Sequence, residues 1–123
     1  MNKTIDELDF IKIDKVSSIP VGRSKLLEIG DIIISVWHLE DGFFAIEDTC
    51  PHQGDSLSLG CLEDDGIIAC PWYGAQFDIR TGRVISLPAT CGVRTYPVKI
   101  IDGTLYVSKQ PHNDAKPQLF KLV

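Results

Sequence analysis

The chain has no excess of basic residues: 12 Lys plus Arg stand against 17 Asp plus Glu, a net charge of −5. Without a basic stripe to neutralise phosphates, nucleic acid is not expected as a partner. The mildly acidic balance fits solubility and docking on a basic protein surface. Long apolar runs are missing too. Stretches such as Asp31-Ile-Ile-Ile-Ser-Val-Trp37 are strand-sized, far short of the roughly 20 residues of a membrane-spanning helix. The opening Met1-Asn-Lys-Thr-Ile-Asp-Glu-Leu-Asp9 has no apolar centre and no small-residue cleavage site. It does not read as a signal peptide, and the expected compartment is the cytoplasm. There the four cysteines meet a reducing environment, so they are read as metal ligands or inert core thiols and not as two disulfides. Paired Cys-x-x-Cys knuckles are absent, which disfavours a zinc ribbon. Internal repeats and low-complexity tracts are absent as well, and no run of about 10 residues or more carries a 3.6 period. A short helical turn within residues 4–8 is the only helical expectation.

What remains is strand periodicity in a chain whose 44% apolar and 24% charged residues exclude disorder. Lys25-Leu-Leu-Glu-Ile-Gly30, Asp31-Ile-Ile-Ile-Ser-Val-Trp-His-Leu39 and Gly42-Phe-Phe-Ala-Ile-Glu47 are short, rich in β-branched and aromatic residues, and bounded by Gly or Asp. Asp41-Gly42 separates residues 35–40 from 43–47, Thr81-Gly82 separates 77–80 from 83–86, and Asp102-Gly103 separates 96–101 from 104–108. Asp-Gly suits a type I′ hairpin because Gly takes positive φ without a Cβ clash, and Thr-Gly is a weaker signal of the same kind. The expected fold is all-β: a small antiparallel sandwich or barrel built from hairpins. Its 123 residues make one domain, with a core over about 10–108 and an irregular tail over 109–123 whose apolar end is either packed on the body or frayed. Trp37, Phe43 and Phe44 are expected in the core. His38 and His112 are expected to be solvent-facing or hydrogen-bonded and not to bind metal.

Two loops stand apart from this pattern. The first reads Cys50-Pro-His52-Gln-Gly54; the second reads Cys70-Pro-Trp-Tyr73-Gly74-Ala-Gln-Phe-Asp78. Each opens with Cys-Pro, holds a potential ligand within three residues, and has Gly just beyond. Pro and Gly bend such a loop around a centre. Thiolate suits soft metals and iron–sulfur clusters, and imidazole suits iron, zinc or copper.

At these residues the sequence resembles the Rieske [2Fe–2S] domain family in its soluble ferredoxin form. The family pattern is Cys-x-His, a spacer of about seventeen residues, then Cys-x-x-His. Here Cys50-Pro-His52 is followed by residues 53–69 and then Cys70-Pro-Trp-Tyr73. Ser56-Leu57, Leu59-Gly60, Gly74-Ala-Gln-Phe-Asp78, Thr81-Gly82, Pro88 and Val93-Arg94-Thr-Tyr-Pro-Val98 resemble the family's spacer and continuation. The resemblance implies a small antiparallel Rieske-like fold with two cluster-binding loops. It also implies a [2Fe–2S] cofactor, with Cys50 and Cys70 on one iron and His52 and position 73 on the other.

Position 73 departs from the family, which has a second histidine where this chain has Tyr73. A phenolate can bind ferric iron, but it is an anion in the place of a neutral imidazole and lowers the expected potential. The other readings are that Tyr73 points away from a labile cluster, or that no cluster forms. Cys61 and Cys91 match no ligand position and are expected to be ordinary buried or half-buried thiols, with Cys61 as a substitute ligand the other reading. The paired extra cysteines of respiratory Rieske proteins correspond to Asp55 and Trp72, so that disulfide brace is absent. Trp72 is expected to shield the site from water, and Gly54 and Gly74 to let backbone N–H groups approach the cluster.

No nucleophile, general base or substrate pocket stands out, and the chain is too short to add an oxygenase catalytic domain. The resemblance implies an electron carrier and not an enzyme: a component passing one electron between a flavin reductase and a terminal oxygenase or reductase. The alternative is a cluster-poor structural or regulatory subunit similar to a nitrite reductase small subunit.

Overall fold

The computed structural model describes residues 10–49, 56–63, 66–71, 75–86 and 92–112. Eleven strands occur among them: β1 (Phe10–Lys15), β2 (Ser24–Ile29), β3 (Ile32–Leu39), β4 (Gly42–Glu47), β5 (Cys61–Leu62), β6 (Ile67–Ala69), β7 (Gln76–Asp78), β8 (Val84–Ser86), β9 (Thr95–Tyr96), β10 (Val98–Ile101) and β11 (Thr104–Ser108). Two single 3₁₀ turns, Val16–Ser18 and Leu57–Leu59, are the helical elements among the described residues. The helical turn expected within residues 4–8 lies outside them.

The strands form three antiparallel sheets, ordered β1-β11-β10, β2-β3-β4-β9 and β5-β6-β7-β8. The four-stranded sheet of β2, β3, β4 and β9 is the middle layer. Successive side chains on a strand point to opposite faces, so β3 and β4 send alternate residues into two separate cores. Trp37 and Leu39 with Ile46 join Leu57, Ile68, Cys70, Ala75, Phe77, Ile79, Val84 and Val93 on one face. Ile34 and Val36 with Ala45 join Ile19, Tyr96, Leu105 and Val107 on the other. This is why β3 reads as a nearly continuous apolar run and lacks a clean alternation. Its single polar interior residue, Ser35, is buried and accepts a hydrogen bond from Trp37 Nε1 at 3.0 Å, so no polar atom is stranded there.

The turns separate the three Gly-based expectations. Asp102 and Gly103 both have positive φ (51° and 78°) between the paired residues Ile101 and Thr104, which is the expected type I′ geometry. The β3–β4 turn is shifted by one residue: Leu39 pairs with Gly42, so Glu40 and Asp41 form the corner and Gly42 begins β4. Thr81-Gly82 lies in a longer connection. β7 ends at Asp78 and not at Arg80, the Asp78 side chain accepts the Arg80 N–H at 2.9 Å, and the Gly82 N–H donates to the Asp78 carbonyl at 2.7 Å. Arg80 also forks onto Asp41 at 2.7 and 3.0 Å, holding this connection against the β3–β4 turn.

Candidate metal centre

Of the four proposed ligand positions, Cys70 lies among the described residues; Cys50, His52 and Tyr73 do not, and neither do Gly54, Asp55, Trp72, Gly74 or Cys91. The structure therefore defines the roots of the two loops. The second loop follows β6, which pairs antiparallel with β7 in register from Ile67–Asp78 to Ala69–Gln76. The Cys70 N–H continues that ladder by donating to the Ala75 carbonyl at 2.7 Å. Cys70 is buried, 3% exposed, in the core shared with Trp37, Leu57 and Phe77. Cys70 thus sits where the β6–β7 ladder ends, with its side chain in the core.

The first loop, residues 50–55, is closed in a similar way. Thr49 and Ser56 form a bridge across its base, and the Leu57 N–H donates to the Asp48 carbonyl at 2.7 Å. The Asp48 side chain reinforces this closure. It is 1% exposed, accepts the Ser58 N–H at 2.9 Å and the Ser58 hydroxyl at 3.2 Å, and also accepts the Ser56 hydroxyl. Sequence reasoning missed Asp48; the signal was an acid two residues before the first cysteine, with Ser-x-Ser on the far side of the loop.

The two roots are neighbours. Leu57 is fully buried in the same core as Cys70. Gly60, just after the Leu57–Leu59 turn, runs so close to β6 that a Cβ there would collide with the Ala69 carbonyl oxygen and lie 3.2 Å from the Leu57 carbonyl oxygen. Both loops therefore spring from one end of the molecule.

Cys61 corrects an expectation. Its side chain is exposed, because β5 is an outer strand of its sheet and turns Leu62, not Cys61, toward the core. His38 and His112 are engaged elsewhere: His38 Nδ1 lies 2.6 Å from the Ile19 carbonyl with its ring stacked on Phe43, and His112 Nδ1 lies 2.7 Å from the Thr95 hydroxyl. Trp37 is buried as expected, while Phe43 and Phe44 are half-buried at the margins of the two cores.

A family model described as the Rieske [2Fe–2S] domain matches residues 9–97. The chain belongs to this family. Among its curated relatives is the 3-phenylpropionate/cinnamic acid dioxygenase ferredoxin subunit of Photorhabdus laumondii, 39% identical over 93 residues, covering 76% of this chain and 88% of the relative. The protein of the same description from Escherichia coli K12 is 35% identical over 92 residues, covering 75% and 86%. Among solved structures, a chain of the complex of reduced oxygenase and oxidized ferredoxin in carbazole 1,9a-dioxygenase superposes with a TM-score of 0.81 at 31% identity, covering 86% of this chain and 98% of that one. The Rieske family is named for a [2Fe–2S] cluster, and the donor set can be tested against that group. Two thiols and one imidazole suit iron of a sulfide cluster, and the one described donor is a buried thiol where the β6–β7 ladder ends. The phenol of Tyr73 is the only donor that departs from the two-Cys, two-His pattern, and oxygen ligation of ferric iron is sound chemistry. The set fits the group with one neutral ligand exchanged for an ionisable one. Among the described residues no helix is long and apolar enough to cross a membrane.

Proposed function

We propose that this chain is the ferredoxin component of a multicomponent oxygenase system, receiving one electron from a flavin reductase and delivering it to a terminal oxygenase. It acts as an electron carrier and not as a catalyst. Cys50, His52, Cys70 and Tyr73 hold the cofactor, with Tyr73 as the fourth ligand. When bound, a [2Fe–2S] cluster supplies a one-electron couple whose potential responds to ligand charge, hydrogen bonds and solvent exposure. The observation that carries the reading is Cys70, a buried thiol fixed at the end of the β6–β7 ladder by the Cys70–Ala75 hydrogen bond, in a chain that matches the Rieske family model.

The remaining steps belong to the protein. Backbone pairs close both loops at their roots, a base that suits a centre required to keep its shape as charge arrives and leaves. The working compartment is the cytoplasm, which suits Cys61 and Cys70, neither of which is in a disulfide.

The test is EPR of the dithionite-reduced protein, purified without oxygen, with iron and sulfide counted on the same sample. A rhombic signal with about two irons and about two sulfides per chain is expected. A folded protein with neither iron nor signal would reject the carrier and favour a structural subunit of the kind named for nitrite reductases. For Tyr73, the oxidised protein is expected to show a phenolate-to-iron charge-transfer band that Tyr73→Phe removes, and Tyr73→His should raise the midpoint potential. An unchanged spectrum and potential in both variants would remove Tyr73 from the ligand set.

A further inference from the structure

We infer that Asp48 is a positioning residue for the cluster: its carboxyl group clasps the two sides of the first loop at the loop's base. The inference rests on the ligand reading above and adds to it a residue outside the proposed ligand set. Asp48 is the only Asp, Glu, Lys or Arg that is buried among the described residues. A carboxyl group inside a protein is costly unless its oxygens are hydrogen-bonded, and here they are. Oδ1 takes the Ser58 N–H at 2.9 Å, and Oδ2 takes the Ser58 hydroxyl at 3.2 Å together with the Ser56 hydroxyl. All three donors come from the returning side of the loop, whereas Asp48 stands on the departing side. Its own N–H donates to the Ile33 carbonyl at 2.8 Å, which anchors the clasp to β3 of the middle sheet.

Such a carboxylate does two things that an apolar residue could not. Hydrogen bonds to a carboxylate are stronger than those between neutral groups, so they reinforce the closure that the Thr49–Ser56 bridge makes at the loop base. A carboxylate two residues before Cys50 would also oppose adding an electron to a cofactor held by that loop, and so would hold the reduction potential down. The Ser56 and Ser58 hydroxyls partly offset that charge. The two effects predict shifts of opposite sign. Removing the charge should raise the potential, and removing a hydroxyl that screens it should lower the potential.

The experiment is a redox titration, followed by EPR, of the purified holoprotein and three variants, with iron and sulfide counted for each. Asp48→Asn preserves size and an acceptor for the Ser58 N–H while deleting the charge. It should keep most of the cluster and move the one-electron equilibrium about tenfold toward the reduced form, about 59 mV upward. Ser58→Ala should move the midpoint the other way and speed loss of iron to a chelator. Asp102→Asn, which deletes an exposed charge at the β10–β11 turn, should leave both readouts at the wild-type value. Should Asp48→Asn not fold, the downward shift in Ser58→Ala still decides the matter. A loaded wild-type protein whose variants show no shift, or shifts of the same sign, overturns the role of Asp48 and leaves the carrier reading intact. A wild-type protein without iron overturns both.

Discussion

At the scale of single residues, the site depends on positions that hold no ligand. Gly60 is an example. Its backbone angles are open to any residue, with φ −82° and ψ −168°, so its need for glycine is a matter of space and not of conformation. The chain leaving the first loop passes so near the strand leading to Cys70 that no Cβ fits between Gly60 and the Ala69 carbonyl. Gly60→Ala must push the two loop roots apart. Overpacking of this kind costs about 1–3 kcal/mol, and here the strain falls between two pairs of proposed ligands. Thermal melting should show the loss of stability, and iron and sulfide per folded chain should fall with it. A variant with wild-type melting and full iron content would mean that the neighbouring backbone yields without moving the site.

At the scale of elements, the small sheet of β5 to β8 serves as a mount for the second loop, and its strength comes from Phe77. That side chain is fully buried, pairs across the strands with Ile68 and Val84, and packs in the core that contains Cys70. Phe77→Ala should cost about 3–5 kcal/mol, read as a shift of the denaturant midpoint at constant slope. A loss below about 1 kcal/mol would show that the cavity collapses. The elements also show what the sequence makes legible. β3, β4 and the β10–β11 hairpin are legible because their apolar runs are bounded by Asp-Gly, which marks the β10–β11 corner itself and falls one residue late at β3–β4. β1 is not, because Lys12, Asp14 and Lys15 interrupt its apolar residues and only its pairing with β11 selects the extended form. β5 was hidden by its length of two residues. The proposed ligand pattern comes from the resemblance of the Cys and His spacing to the family's, with Tyr73 as its departure. The Asp48 clasp could not be read from the sequence, because its partners lie eight and ten residues away and the loop between them must close before they meet.

At the scale of the whole molecule, the middle sheet keeps two cores apart. The one on the β1-β11-β10 side draws none of its buried residues from positions 46 to 95, the segment that contains all four proposed ligands and both loop roots. Cores that share only a sheet can open at different free energies. Removing iron with a chelator should therefore loosen one end of the molecule alone. Amide exchange should quicken through residues 56–63 and 75–86, while Leu105 and Val107 on β11 keep their protection. Uniform loss of protection along the chain would show that the two cores stand or fall together. If the ends do separate, the half without ligands is a scaffold that persists before the metal arrives. The chain can then await cluster insertion as a partly ordered acceptor, with a finished base and an unfinished tip, and need not fold around its cargo.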